Sequence, residues 1–252
     1  MHFTAGPDAY DRFMGRYSTL LAPEFAGFVG ITAGRRVLDV GSGPGALTAE
    51  LVERVGPDAV AAVDPSESFI AAARDRYPGV SVNLAAAERL PFRDDSFDMA
   101  MAQLVVHFMT RPVDGLREMA RVTRSGGVVA ACVWDLAGDR GPLNLFWQAA
   151  RELDHKVEDE SHLAGVREGH LAELLNSAGL REIVTGALTV GVEHPTFEDW
   201  WEPFTLGVGP AGRYAAGLDG DRQARLRELC RAMLPEGPFV IHARAWAARG
   251  LV

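Results

Sequence analysis

Hydrophobic positions change their period along this chain. Up to about residue 135, short and nearly continuous apolar runs alternate with stretches whose apolar residues share one helical face. Arg36-Val37-Leu38-Asp39-Val40 is a β-branched strand ending in glycines. The helix predicted from Pro44 to about Val55 groups Leu47, Leu51, Val52 and Val55 and stops at Gly56-Pro57. Ala59 to Asp64 reads as a second strand, and Ser66 is expected to cap a helix that Tyr77-Pro78-Gly79 ends. Val80–Leu84 and Phe97–Gln103 are the third and fourth strands. Pro112 opens a helix with Val113, Leu116, Met119 and Ala120 on one face, and Ser125-Gly126-Gly127 turns it into a fifth strand, Val128 to Trp134. Apolar strands separated by helices predict a parallel sheet covered on both faces, with right-handed crossovers.

Beyond Trp134 the pattern loosens. A helix is expected from Leu143 to about Asp154, then a solvated polar loop over Lys156–His162, then a helix from Gly169 to Ala178. Arg181–Val192 and Phe239–Ala248 read as strands. Between them Phe197–Leu234, rich in Trp, Phe, Gly and helix formers, predicts a helical insertion into the last hairpin.

Composition narrows the function. Lys and Arg number 25 against 34 Asp and Glu, a formal charge of −9, which argues against binding nucleic acid. No run approaches the roughly 18 apolar residues of a membrane span. Met1 to Asp8 has neither the basic nor the apolar region of a signal peptide, so no leader is expected. The two cysteines, Cys132 and Cys230, lie in unrelated contexts and are read as reduced thiols of a cytoplasmic protein.

Gly41-Ser42-Gly43-Pro44-Gly45-Ala46 follows a strand, opens a helix and satisfies G-x-G-x-x-G/A, with Asp64 standing 23 residues beyond Gly41. Glycines there allow a tight turn and close approach of a ligand to oriented N–H groups. The plainer alternative is a turn that only packs helix on sheet. Asp39, beneath the loop, would repel a dinucleotide's pyrophosphate but suits a cofactor bearing an ammonium and a sulfonium. It could equally brace the loop. Asp64 is placed to accept two ribose hydroxyls, or to brace the helix that follows.

Val37-Leu38-Asp39-Val40-Gly41-Ser42-Gly43-Pro44-Gly45 resembles the first motif of class I S-adenosylmethionine-dependent methyltransferases, in particular the ubiquinone/menaquinone-biosynthesis type. Ordered matches follow at Val63-Asp64, Ala87-Glu88-Arg89-Leu90-Pro91-Phe92, Ser96-Phe97-Asp98 and Arg121 to Gly127. Tyr10 to Tyr17 is similar to the N-terminal helix of these enzymes. The resemblance covers roughly residues 8 to 135 and implies a Rossmann-like, doubly wound α/β fold. Seven strands are expected, mostly parallel with an antiparallel final strand, plus a helical cap. The layout implied is one domain over 1–252. It comprises a lid (1–30), a cofactor-binding core (31–135), cap segments (136–168 and 195–236) and the rest of the sheet (169–194 and 237–252).

For the site, the resemblance implies that Gly41 and Gly43 approach the methionine arm and ribose, Asp64 holds the ribose, and Ala87 and Glu88 flank adenine. Gln103 offers its backbone carbonyl to the ammonium and Arg16 pairs with the carboxylate. Ser42, Pro65, Asp39 and Tyr10 join the cofactor-binding set. Tyr10 and Tyr17 close the lid or are core aromatics, and Arg16 has a surface role as its alternative. Two departures stand out: Ala86 replaces the usual acid beside adenine, and Ser125 replaces a common proline.

Methyl transfer from a sulfonium is a direct displacement that needs alignment and water exclusion, and sometimes a base. His107, just past the fourth strand, is the candidate base, with packing against the cofactor as its alternative. Asp135 is a second candidate, or a loop brace. No histidine spacing suggests a metal ligand set. Phe146, Trp147, Trp200, Trp201, Phe204 and Tyr214 fall in the cap segments, where they predict an apolar acceptor pocket besides core packing. The function expected is methyl transfer from S-adenosylmethionine to a small molecule. A catalytically silent binding protein and a nicotinamide-dependent oxidoreductase are the alternatives. The acceptor and the oligomeric state are not legible.

Overall fold

A computed structural model describes residues 6–252. Met1 to Ala5, where the leader reading and the start of the lid fall, lie outside the described residues. The chain enters as helix Pro7–Tyr10 (α1), passes through a π-helical turn, Asp11–Gly15, and continues as Arg16–Val29 (α2), which Gly30 ends at φ +80°. Leu21, Ala22, Phe25 and Ala26 put one face of α2 into the core. The alternating region follows as β1 (Val37–Val40), α3 (Ala46–Val55), β2 (Val60–Asp64), α4 (Glu67–Arg76), β3 (Ser81–Leu84), β4 (Phe97–Gln103), α5 (Pro112–Val122) and β5 (Thr123–Trp134). Then come α6 (Asn144–Leu153), α7 (His170–Ser177), β6 (Arg181–His194), α8 (Phe197–Trp201), α9 (Gly209–Gly217), α10 (Gly220–Ala232) and β7 (Phe239–Leu251).

The seven strands lie in the order β3-β2-β1-β4-β5-β7-β6, and β7 alone runs against the rest. This is the doubly wound sheet with an antiparallel final strand that the sequence predicts. The crossovers through α3 and α4 step away from β1 in one direction and α5 steps from β4 in the other. Right-handed connections therefore place them on opposite faces. Val37, Leu38 and Val40 of β1 are fully buried, as strands covered on both sides must be.

Several boundaries differ from expectation. The glycine turn before β5 is absorbed into the strand: pairing jumps from Phe97↔Thr123 to Met99↔Val128, and Gly126 takes φ +71° in the bulge. Ser66 sits at the helix start but does not cap it; its hydroxyl meets Ser68 Oγ at 3.0 Å. β6 and β7 outrun their apolar patterns because they pair from Arg181↔Leu251 to His194↔Phe239, and the edge strand β6 keeps many exposed positions. The segment 156–162 is not wholly solvated, since Glu160 is only 4% exposed.

The insertion between β6 and β7 is helical, as predicted, and builds a second core with α6. Phe146 stacks on Phe204 at 4.5 Å, and Trp200 and Trp201 are buried among them. A polar clamp joins this insertion to α2. Tyr17 Oη lies 3.1 Å from His194 Nε2, His194 Nδ1 lies 2.9 Å from Asp199, and Arg16 donates to the same carboxylate at 2.8 Å. Among the described residues no helix is long and apolar enough to cross a membrane.

Candidate active site

Strand order reverses between β1 and β4, and a cleft opens beyond their carboxyl ends, with about 1040 Å³ of space continuous with solvent. Its wall brings together Tyr10, Gly41, Gly43, Asp64, Pro65, Ala87, Glu88 and Gln103 of the predicted set. Sequence reasoning missed Phe69, Leu104, Val105, Phe108, Met109 and Thr110 on the same wall. Phe69 was readable as an apolar position of its helix; the others follow the fourth strand, where only His107 drew notice.

The N–H groups of Gly41 and Ser42 both donate to the Val63 carbonyl, at 2.7 and 2.9 Å, folding the loop over the end of β2. Gly41 has φ +71°, and a Cβ there would fall 2.4 Å from Val105, so only glycine fits. Gly43, at φ +55°, faces open space. Asp64 Oδ2 accepts from Gly43 N–H at 2.9 Å and Oδ1 from Ser66 N–H at 2.8 Å. Asp64 therefore braces loop and helix while lining the cleft. Burial pushes its carboxyl up, against the pull of those two bonds. Gln103 Nε2 donates to the Ser18 carbonyl at 3.0 Å, and its Oε1 is buried with no partner. Next to it, Leu104 holds φ +61°, a left-handed conformation that a bulky residue keeps only when its surroundings impose it. Ala86 stands on the cleft wall, and Glu88 accepts from Arg111 N–H at 3.1 Å.

Three predicted contacts are not made. Asp39 is 1% exposed beneath the loop and accepts from the Thr48 hydroxyl at 2.6 Å, so it braces the helix start and does not reach the cleft. Burial pushes its carboxyl up to about 7. Ser42 is turned inward, with its hydroxyl on the Gly43 carbonyl at 3.4 Å. Arg16 is spent on the clamp, donating to Asp199 and, at 2.8 Å, to the Glu193 carbonyl.

A second cavity, with about 470 Å³ of open space, adjoins the cleft and shares Tyr10, Leu104 and Phe108 with it. Phe13, Met14, Trp134, Leu136, Leu143, Val208, Pro210 and Ala211 make it apolar; among the described residues, His107 and Glu160 are its two titratable groups apart from Tyr10. His107 lies in the 3₁₀ turn Val106–Phe108, with its ring centroid 3.9 Å from that of Phe108. Burial pushes its pKa down to about 3, and Nδ1 has no partner, so it is a neutral imidazole at physiological pH. Glu160, unseen in the sequence because it falls in a polar run, accepts from Trp147 Nε1 at 3.1 Å. Burial pushes it up to about 7. Trp200 and Trp201 are not on this wall; among the described residues its Phe, Tyr and Trp lining is Tyr10, Phe13, Phe108 and Trp134. Asp135 is a loop brace that accepts from Gly138 N–H at 2.9 Å and from the Arg244 guanidinium.

The cleft fits S-adenosylmethionine. Open space in front of Gly43 admits a ligand against the loop, and the unpartnered Gln103 Oε1 is an acceptor in need of a donor. Two carboxylates line the wall, and among the described residues lining it none is Lys or Arg.

Residues 38–131 match the profile of the methyltransferase domain family. They form a class I S-adenosylmethionine-dependent methyltransferase domain. An uncharacterized methyltransferase of Mycobacterium bovis is 36% identical over 153 residues, 61% of this chain and 57% of that protein. The ubiquinone/menaquinone biosynthesis C-methyltransferase of Pseudomonas fluorescens is 41% identical over 105 residues, 39% of this chain and 41% of that protein. The chain thus spans less than two thirds of the length of either relative. In fold, this methyltransferase domain and its additions resemble the geranyl diphosphate C-methyltransferase of Streptomyces coelicolor, solved with S-adenosylhomocysteine, Mg2+ and geranyl diphosphate. The TM-score is 0.56 at 14% identity, over 94% of this chain and 80% of that one.

Proposed function

We propose that the chain is a cytoplasmic enzyme that transfers the methyl group of S-adenosylmethionine, held in the cleft, to a small molecule in the adjoining cavity. The observation that carries this reading is the charge of the cleft: a glycine-loop crevice with two carboxylates and no basic lining residue among those described. A pyrophosphate on the glycine loop would find no Lys or Arg on the described wall to neutralise it and would lie in the field of Asp39 beneath the loop, whereas a cationic methionine arm is attracted. The surplus of acidic residues over the whole chain supports a small molecule over nucleic acid, and two free, buried cysteines suit a reducing compartment.

When bound, the cofactor supplies an activated methyl on sulfur, so the chain need provide no nucleophile. Asp64 accepts the ribose hydroxyls with lone pairs left by Gly43 and Ser66 N–H. Gly41 and Gly43 let the ligand lie against the backbone. Pro65, Phe69 and Ala87 sandwich adenine with Glu88 beside it, and Gln103 takes the ammonium. Asp39 contributes only its field from behind the loop. Tyr10, Leu104 and Phe108, common to both cavities, set the line along which donor and acceptor meet and keep water from it. The segment up to residue 30 serves as lid, and 136–168 with 195–236 as cap.

The test is transfer of labelled methyl to a panel of small phenols, amines, thiols and carbon acids. Label should enter one class of acceptor in a cofactor-dependent way. Cofactor binding without transfer to any class would favour the silent binding protein.

A further inference from the structure

Glu160 is a buried carboxylate that the cofactor cleft does not use. It lines the second cavity, remote in sequence from every methyltransferase motif, and Trp147 fixes it in place by donating to Oε2. Oε1 carries no hydrogen bond among the described residues. Around it the described lining is mostly apolar, and the unpartnered His107 Nδ1 is a further polar atom on the wall. With one oxygen held by Trp147 and the other facing an apolar cavity, the carboxylate is placed to take a second hydrogen bond from a ligand.

We infer that Glu160 is the acceptor-binding residue of the second cavity, and that the acceptor is an apolar small molecule of the phenol or enol class whose O–H donates to Glu160 Oε1. This rests on the second cavity being the acceptor site. A carboxylic acid would be repelled by Glu160. An ammonium has three donors and a charge to satisfy, which one free carboxylate oxygen and one imidazole nitrogen do poorly, and it would also face the cofactor's own cation. A hydroxyl needs one acceptor and leaves an apolar body for Phe13, Trp134, Leu143 and Val208.

Among the described residues few charges face Glu160. Asp159, its neighbour, is paired with Arg151, and Arg213 on α9 favours the anion. Trp147 on α6 donates, and His107 across the cavity is uncharged. Binding of a hydroxyl donor should therefore follow ionisation of Glu160 alone.

Equilibrium dialysis of the full chain with 2-naphthol and with 2-methoxynaphthalene, nearly the same body without the donor, tests this alongside binding of S-adenosylhomocysteine. At pH 8 the wild type should bind 2-naphthol at least tenfold more tightly than the ether, and the preference should shrink at pH 5.5. Glu160→Gln, which keeps an oxygen for Trp147, should reduce the preference below threefold while leaving S-adenosylhomocysteine affinity unchanged. Equal affinity of wild type for the two probes, or a preference retained in Glu160→Gln, overturns the inference. The wild-type contrast stands even if the variant fails to fold. Absence of S-adenosylhomocysteine binding with the naphthol preference intact would sink the methyltransferase reading and leave only the recognition of a hydroxyl donor by Glu160.

Discussion

Glu160 and His107 sit on one cavity wall and titrate in opposite senses from the same cause. Burial disfavours the charged form of each, raising the carboxyl to about 7 and lowering the imidazole to about 3. For Glu160 the folded pKa lies above the ordinary 4.5, so the folded state holds a proton that the unfolded chain releases. Its contribution to stability is full below about pH 4.5 and is lost as pH rises through 7. His107 acts the other way, costing stability as pH falls below its ordinary 6.5. Asp39, also raised to about 7, adds to the slope of Glu160. In Glu160→Gln only the Glu160 slope disappears. Thermal unfolding should show the variant gaining roughly 2–3 kcal/mol over wild type at pH 8 relative to pH 4.5. A difference that does not change with pH would place Glu160 in contact with water. At this scale the sequence identified residue types better than their directions. Asp39, Ser42 and Arg16 are each where the motif puts them, yet each side chain is satisfied by a neighbour that no motif specifies: Thr48, the Gly43 carbonyl and Asp199.

Among the elements, the clamp between α2 and the insertion holds the N-terminal helices over the cleft. His194, 3% exposed, is satisfied on one nitrogen by Tyr17 and on the other by Asp199. Burial works against the Asp199 carboxylate, but Arg16 and His194 outweigh it and hold its pKa below the usual range. Asp199→Ala would leave His194 Nδ1 and the Arg16 guanidinium without that partner. Much of the Arg16 pair is solvent-screened, so the expected cost comes mainly from the buried histidine, roughly 1–3 kcal/mol. Hydrogen exchange should speed up in residues 7–29 while β1, β4 and β5 keep their protection; equal protection throughout would mean the clamp does not hold the lid. Both partners' elements were expected from the sequence, the N-terminal helix through the family resemblance and the insertion through its composition. Neither could predict the pairing, since Arg16 and Asp199 are 183 residues apart. The tryptophans misled for a related reason: Trp200 and Trp201 read as pocket or core alike, and only packing against Phe146, Phe197 and Phe204 decides for core.

For the whole molecule, topology explains which half of the site was legible. The cofactor cleft is built mainly from one stretch, 41–110, where each strand end delivers its loop to the same edge, so motif spacing maps onto space. The second cavity draws on residues 10–14, 104–108, 134–143, 160 and 208–211, five segments that only the closed fold brings together. Its chemistry is therefore invisible to spacing. The central claim is that the acidic glycine-loop cleft holds S-adenosylmethionine through Asp64. Calorimetric titration of wild type and Asp64→Ala with S-adenosylmethionine, and of wild type with NADH, tests it most directly. The wild type should bind S-adenosylmethionine at one site and not bind NADH, and Asp64→Ala should bind about 1.5–3 kcal/mol more weakly through loss of charge-assisted bonds to the ribose. Binding of NADH in place of S-adenosylmethionine, or unchanged affinity in a folded Asp64→Ala, would contradict it.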